Sequence, residues 1–422
     1  LKVSCRMAMF NQPPGAAAVG HLPALSLPTP AHLELVQLHV FTRHGDRTPL
    51  RHGFPSFPVP ELMKRCGSSA HRSPWSTGFL RYYDPDTWQG RGDGMCYLGQ
   101  LTEQGCSRMQ NLGQQLRKAV VGGGLIGADG PRPGDIYVRS TDVPRTRESA
   151  QCLLLGLWPN LVQAVPIHTK LGGNRAEDMY PIPGSCTRLG DLSEQWKEDH
   201  RTEIEAADGL PGLAAAFRET DARGRVGVYD NLHCRVAHGE LLPKGVTMRD
   251  FETLQRAVHR EWYGLYEDSR EASRLGVGRL LGEVLDNMRG ALGQPLRTVP
   301  QAPPEGPARL LLYSGHDSTL GPMLAAMQAP FQTWPPLGSC VTLELFQERQ
   351  AGRAVAGSAR RPAFVRVTRN DQVVNVLGVP ARDGVMSWED FEAACADLIP
   401  GNFWAECKGS RPQEKEWNAT TH

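Results

Sequence analysis

Residues 41–55 read FTRHGDRTPLRHGFP, and Arg-His-Gly occurs there twice, as Arg43-His44-Gly45 and as Arg51-His52-Gly53. A guanidinium beside an imidazole is equipped for phosphate. Forked N–H donors pair with its oxygens, and a neutral imidazole attacks phosphorus. The first copy has a second guanidinium four residues on, Arg47, where the second copy has Pro55. Two more clusters carry matching chemistry: Arg139 in DIYVRST (135–141) and His316-Asp317 after RLLLYSG (309–315). Arg43, Arg47 and Arg139 would repel one another at one point unless a polyanion lay among them. That leaves His44 as the attacking nitrogen and Asp317 as the acid that protonates a leaving alcohol. With a reference pKa near 6.5, an imidazole is nucleophilic near neutrality without a metal.

Such convergence needs elements that end together. Leu35–Phe41 (LVQLHVF) is a nearly continuous apolar run, as a parallel strand buried on both faces requires, and it stops at Arg43. The second Arg-His-Gly lies between Pro49 and Pro55 with no strand feeding it, so it reads as loop surface. Asp135–Thr141 is a second strand, followed by Asp142 as N-cap, Pro144 in the first turn and a helix through Leu155. Arg309–Ser314 is a third, with a helix from Ser318 through Met327. All three clusters thus fall at strand-to-helix junctions, the edge of an open parallel sheet where ligands bind. Gly45 would let the backbone approach a phosphate, and the helix start after Asp317 would add partial positive charge.

Composition excludes other classes. A 422-residue chain with 40% apolar and 22% charged residues is an ordinary globular protein, large for a single core. A formal net charge of +1 argues against a nucleic-acid partner. The longest apolar runs, such as Cys152–Trp158, are far shorter than the ~18 residues a membrane span needs. Ten cysteines contain no C-x-x-C pair, so no structural metal is expected, and Cys152, Cys340 and Cys395 read as small buried thiols.

RHGDRTP (43–49) and SGHDSTL (314–320), with GQLTEQG…LGQQLRK (99–118) and YVRSTDVPRT (137–146) between them in order, resemble the histidine acid phosphatase branch of the histidine phosphatase superfamily. The resemblance spans roughly residues 34–400. It implies an α/β fold: a mostly parallel sheet flanked by helices, phosphoglycerate-mutase-like, with an inserted helical cap. It implies His44 as the phosphorylated nucleophile, Arg43, Arg47, Arg139 and His316 as phosphate ligands, and Asp317 as proton donor. The reaction would be ping-pong through phosphohistidine, with no metal and no cofactor. Finer stretches (Tyr180-Pro181…Cys186, Trp334-Pro335-Pro336, CVTLELFQ at 340–347 and Gly99-Gln100-Leu101-Thr102) are similar to the branch that acts on lysophosphatidic acid, which makes the expected substrate a small or lysophospholipid phosphate monoester.

The remaining chain is expected as an arm (1–33), a catalytic core (34–150 and 276–408), a helical cap (151–275) and a tail (409–422). The arm lacks Asp and Glu and carries Lys2 and Arg6, as a leader or a Pro/Ala-rich arm would; mitochondrial and secretory destinations both fit. Leu1 in place of Met fits truncation or processing, and Asn418-Ala419-Thr420 is the sole N-x-[ST] glycan sequon considered. Thr247…Asp250 and Ser387…Asp390 are capping boxes, and Asn370-Asp371 turns one strand (364–368) into another (373–377). Trp196, Trp262, Tyr263 and Tyr266 read as core packing rather than lipid contact, and Arg349–Arg361 as a solvated loop. Three other functions compete: a phytase-like or sugar-phosphate phosphatase, a phosphomutase, and a non-catalytic phosphate-binding protein on the same fold.

Overall fold

The computed structural model describes residues 29–50, 96–161, 163–170, 177–219, 224–297, 307–331, 333–349 and 360–408. The second Arg-His-Gly, the arm before residue 29, most of the Arg349–Arg361 segment and the tail lie outside these residues. Strand β1 (Leu33–Arg43) leads to helix α1 (Glu103–Val120), β2 (Ile136–Ser140) and α2 (Pro144–Leu157). Then come α3 (Thr187–Asp199), α4 (Arg201–Ile204), α5 (Ala214–Glu219), α6 (Gly224–Ala237), α7 (Met248–Asp268) and α8 (Arg270–Ala291). The chain re-enters the sheet as β3 (Leu310–Gly315) and continues through α9 (Asp317–Ala326), β4 (Cys340–Glu348), β5 (Ala363–Arg369), β6 (Gln372–Val373), β7 (Met386–Ser387), α10 (Trp388–Cys395) and α11 (Phe403–Glu406).

Strand order is β2-β3-β1-β4-β5-β6, with β7 on β5. The half that carries the strand-end clusters, β2-β3-β1, is parallel, and the other half is antiparallel, so the sheet is mixed rather than mostly parallel. The reason is local. After α9 the segment 328–339 returns to the rim where β1 ends, and Cys340 pairs with Thr42, so β4 must run away from that rim.

Strand alternation divides the core in two. Leu38, Val40, Val138, Leu310 and Leu312 pack against α1 and α2. On the other face Phe41, Tyr137, Leu311 and Tyr313 join one apolar cluster with residues of α3 to α9. The helices of the expected cap therefore share a core with the sheet. The α2 helix crosses residue 150 unbroken and packs along α1.

Local signals mostly read true. Thr247 and Asp250 form a capping box, Ser387 caps α10 by accepting from the Asp390 N–H, and Asn370 takes φ 57° in the β5–β6 turn. Two did not. Val143, not Asp142, is the N-cap of α2, because the Asp142 carboxylate pairs with Arg147 at 2.6 Å. Cys152 is no free thiol: it forms a disulfide with Cys106 that joins α2 to α1, and Cys186 is bonded to Cys407. Cys340 and Cys395 are buried and free, as read, with burial pushing both thiols up to about 12.

Candidate active site

Strand register brings the junctions side by side. Arg43 pairs with Gly315 and Ser140 with Ser314, and just beyond the strands His44 N–H donates to the Gly315 carbonyl at 3.0 Å. Above this rim lies a pocket of about 270 Å³, lined by Arg43, His44, Arg47, His316 and Asp317 together with residues of α6, α7 and the loop before β4.

His44 is held by its own neighbour. Its Nδ1 lies 2.9 Å from the Gly45 carbonyl, an acceptor only, so Nδ1 carries the proton and Nε2 keeps its lone pair. Burial, with the positive charges of Arg145, Arg47 and Arg43, holds its pKa well below the ordinary value. Both effects disfavour the imidazolium and leave the Nε2 lone pair free.

The loop itself is pinned by close backbone packing. A Cβ on Gly45 would strike the backbone of Gly105, and one on Gly105 would strike Asp46. The glycine thus admits helix α1 rather than a phosphate. Ser149 Oγ accepts from the Gly45 N–H at 3.0 Å, and Thr102, the N-cap of α1, donates its N–H to the Asp46 carbonyl at 2.9 Å.

His316 ends β3 and caps α9. Its Nε2 lies 2.9 Å from Thr141 Oγ1, its ring meets His44 edge-on at 5.6 Å, and burial with the Arg145 charge lowers its pKa to about 3. Asp317 opens α9. Its Oδ2 pairs with Arg43 Nη2 at 2.8 Å and accepts from Trp334 Nε1 at 3.0 Å. Burial pushes this carboxyl up, but Arg43 and His316 outweigh it and leave it at about 2. These charges favour the carboxylate form of Asp317.

The arginines divide differently from the sequence expectation. Arg43 spends its Nη groups on Asp317, His233 Nε2 (3.2 Å) and the Pro335 carbonyl, and Arg47 spends its own on Asp230 (2.7 Å) and the Thr48 carbonyl (3.0 Å). The Nε of each is buried with no partner. Arg139 does not join them. Its guanidinium is bound by Glu177 (2.8 Å), Glu283 (2.9 Å) and Asp178 beneath the rim. The register explains this. Arg43 is level with Gly315, but Arg139 is level with Tyr313, one pleat lower, or about 7 Å down the strand. The third guanidinium of the pocket is Arg145, in the first turn of α2. It makes no hydrogen bond or ion pair with any described residue, its Nε is buried, and burial with the Arg47 charge depresses its pKa to about 10. A buried cation left in that state is a site for an anion.

Sequence reading also missed α6, which sends Tyr229, Asp230 and His233 into the pocket. Asp230 holds Arg47 and accepts from the Leu50 N–H at 2.8 Å; His233 bridges Arg43 and the Tyr229 hydroxyl (3.2 Å). The available signal was three polar side chains at i, i+1 and i+4 on a helix whose Val228 and Leu232 are core. Trp262 departs from its expected core role. It is 41% exposed, lines the pocket and packs at 5.6 Å against Trp334, whereas Trp196, Tyr263 and Tyr266 are buried. Among the described residues no cluster of His, Cys, Asp or Glu could hold a metal ion, and no helix is long and apolar enough to cross a membrane.

This geometry has relatives. The sequence matches the family described as histidine phosphatase superfamily (branch 2) over residues 34–179 and 202–370. Lysophosphatidic acid phosphatase type 6 of Mus musculus is 29% identical over 347 residues, covering 76% of this chain and 77% of that protein. Prostatic acid phosphatase of Rattus norvegicus is 27% identical over 402 residues, covering 89% and 90%. Lysosomal acid phosphatase of Homo sapiens is 27% identical over 393 residues, covering 89% and 80%. Among solved structures, the Hafnia alvei phytase apo form has a TM-score of 0.59 at 16% identity, covering 90% of this chain and 100% of that one, a likeness of fold.

Proposed function

The chain belongs to the histidine phosphatase superfamily (branch 2), and from that premise we propose that this phosphatase works through a phosphohistidine at His44 Nε2. The observation that carries the reading is the pocket itself: a nucleophilic nitrogen faces three guanidiniums whose Nε groups have no partner. Arg43, Arg47 and Arg145 would hold the phosphoryl oxygens, with His316 beside them, so that positioning and charge stabilisation lower most of the barrier. Arg139, paired with three carboxylates, is not assigned to the phosphate.

In the first step Nε2 of His44 bonds to phosphorus as the ester P–O bond breaks, and the leaving oxygen takes the proton of Asp317. In the second, the Asp317 carboxylate removes a proton from water, whose oxygen attacks phosphorus and releases His44 and inorganic phosphate. Arg43 favours the ionised form of Asp317, so Asp317 must gain its proton with the substrate. A phosphate dianion beside it raises its pKa and compensates Arg43, the charge that holds it down.

The leaving group would meet Leu50, Val143, Val226, Trp262 and Trp334, and no basic side chain beyond the three arginines lies among the described lining residues. That favours a monoester with an apolar or aromatic leaving group over a polyphosphorylated ring. With the relatives named above, it supports a lysophospholipid phosphate such as lysophosphatidic acid as substrate, with α3 to α7 acting as the cap that selects it. The inter-helix disulfides fit an oxidising compartment.

The test is hydrolysis of para-nitrophenyl phosphate with excess EDTA, wild type against His44→Ala, then rates on lysophosphatidate and inositol hexakisphosphate. Activity that survives EDTA and vanishes in the variant supports phosphohistidine chemistry. Faster turnover of the inositol ester would reverse the substrate assignment.

A further inference from the structure

Asp230 of α6 stands at the pocket wall with its carboxylate fixed at both oxygens, one by Arg47 Nη2 at 2.7 Å and the other by the Leu50 N–H at 2.8 Å. Its side chain is 13% exposed, so its charge is only weakly screened. The charged and titratable groups that face it come from every neighbouring element. Arg43 and Arg47 belong to β1 and the loop after it, with His44; Arg145 comes from α2; Tyr180 lines the same pocket; His316 and Asp317 stand at the start of α9; Tyr229, His233 and Cys234 share its own helix. Burial and the neighbouring guanidiniums favour the neutral form of all three imidazoles, and burial favours the protonated thiol. Among the described lining residues, Arg43, Arg47 and Arg145 stand against Asp230 and Asp317, a balance of one positive charge.

We propose that Asp230 is the residue that sets the protonation state in which this phosphatase accepts its substrate. The inference rests on the reading that Arg43, Arg47 and Arg145 hold the scissile phosphate. A pocket of charge +1 is neutralised by a phosphate monoanion. A dianion would leave one excess negative charge in a buried site, a state that draws in a proton. The acceptor nearest the anion is the Asp317 carboxylate, held by Arg43 and Trp334, and a proton there is the one the leaving oxygen needs. Asp230 therefore couples phosphate binding to loading of the acid. Since monoesters lose their second proton near pH 6, the coupling makes the enzyme favour the acid side of neutrality. Without the Asp230 charge, the pocket carries +2, holds a dianion at neutrality and leaves Asp317 ionised.

The measurement is calorimetric titration of inorganic phosphate into the full chain at about pH 8, in two buffers of different ionisation enthalpy, which counts protons taken up per phosphate bound. Wild type is expected to take up close to one proton and Asp230→Asn close to none, with phosphate affinity of the variant raised about tenfold, the equivalent of one pKa unit. Asp230→Glu, which keeps the charge, should keep the wild-type proton count. Asp230→Ser, smaller and also uncharged, repeats the test should the Asn variant fail to fold. Equal proton uptake by wild type and the uncharged variant overturns the proposal even when affinity falls, because lost positioning of Arg47 alone would weaken binding without changing that count. No phosphate binding by wild type would instead refute the underlying assignment of the pocket.

Discussion

Arg145 and Arg139 lie six residues apart and should fail in opposite ways when each is replaced by Met. Arg145 faces the pocket without a hydrogen bond or ion pair to any described residue, so only the more distant charges of Asp317 and Asp230 offset its burial. Against a bound phosphate, a charge-assisted hydrogen bond is worth about 1.5–3 kcal/mol net, and two charges about 4 Å apart at an effective dielectric near 20 interact by about 4 kcal/mol. Arg145→Met should therefore weaken phosphate binding and kcat/KM by about 2–3 kcal/mol, or roughly 30- to 150-fold, with Tm unchanged or raised. Arg139 neutralises Glu177, Asp178 and Glu283 within the fold. Removing it strands buried carboxylates at a cost of about 3–5 kcal/mol, a fall of roughly 3–6 °C in Tm for a chain of this length. The surviving folded fraction should bind phosphate almost normally. Calorimetric titration of phosphate and thermal melts of both variants decide the matter. An Arg145 variant that binds phosphate as wild type does, beside an Arg139 variant that melts normally and does not bind, would refute the division drawn between the two residues.

Other consequences are open to similar measurement. Asp317→Asn should slow alkyl phosphates far more than para-nitrophenyl phosphate, whose leaving group needs no proton; equal losses on both would remove Asp317 from the acid role. His39 is fully buried, and burial lowers its pKa to about 3. Between there and about 6.5 the unfolded chain binds a proton that the folded chain does not, so stability falls as pH falls through that window. His39→Gln should flatten the acid branch of a stability–pH curve by about 1.4 kcal/mol per unit, and an unchanged slope in denaturant melts would contradict the assignment. Trp262→Ala should raise KM for a lysophospholipid phosphate several-fold while sparing para-nitrophenyl phosphate; parallel changes would mean that Trp262 supports the fold rather than the leaving group.

The sequence disclosed what depends on local pattern and withheld what depends on register and on contacts made far along the chain. An apolar run that stops at Arg43, and another that stops at Gly315, were enough to put His44 and Asp317 at one rim, because a buried parallel strand has few other ways to read. The same reasoning misassigned Arg139, since being near a strand's end does not tell whether a side chain clears the rim or sits one pleat below it. Only pairing with Tyr313 decides that, and pairing across more than 170 residues leaves no local trace. Arg145 lies within the motif at 137–146, but a place in the first turn of a helix does not by itself show that a guanidinium turns to the pocket. Asp230 and His233 were harder still. A half-buried carboxylate on a helix becomes intelligible only when its cation is known, and that cation, Arg47, lies 183 residues earlier. Charged groups that serve a pocket from a distant helix thus look, in one dimension, like ordinary solvated positions. Their partners, rather than their own neighbours in sequence, give them their meaning. That is why the residue proposed as nucleophile was legible before the residue proposed to set the working charge of the site.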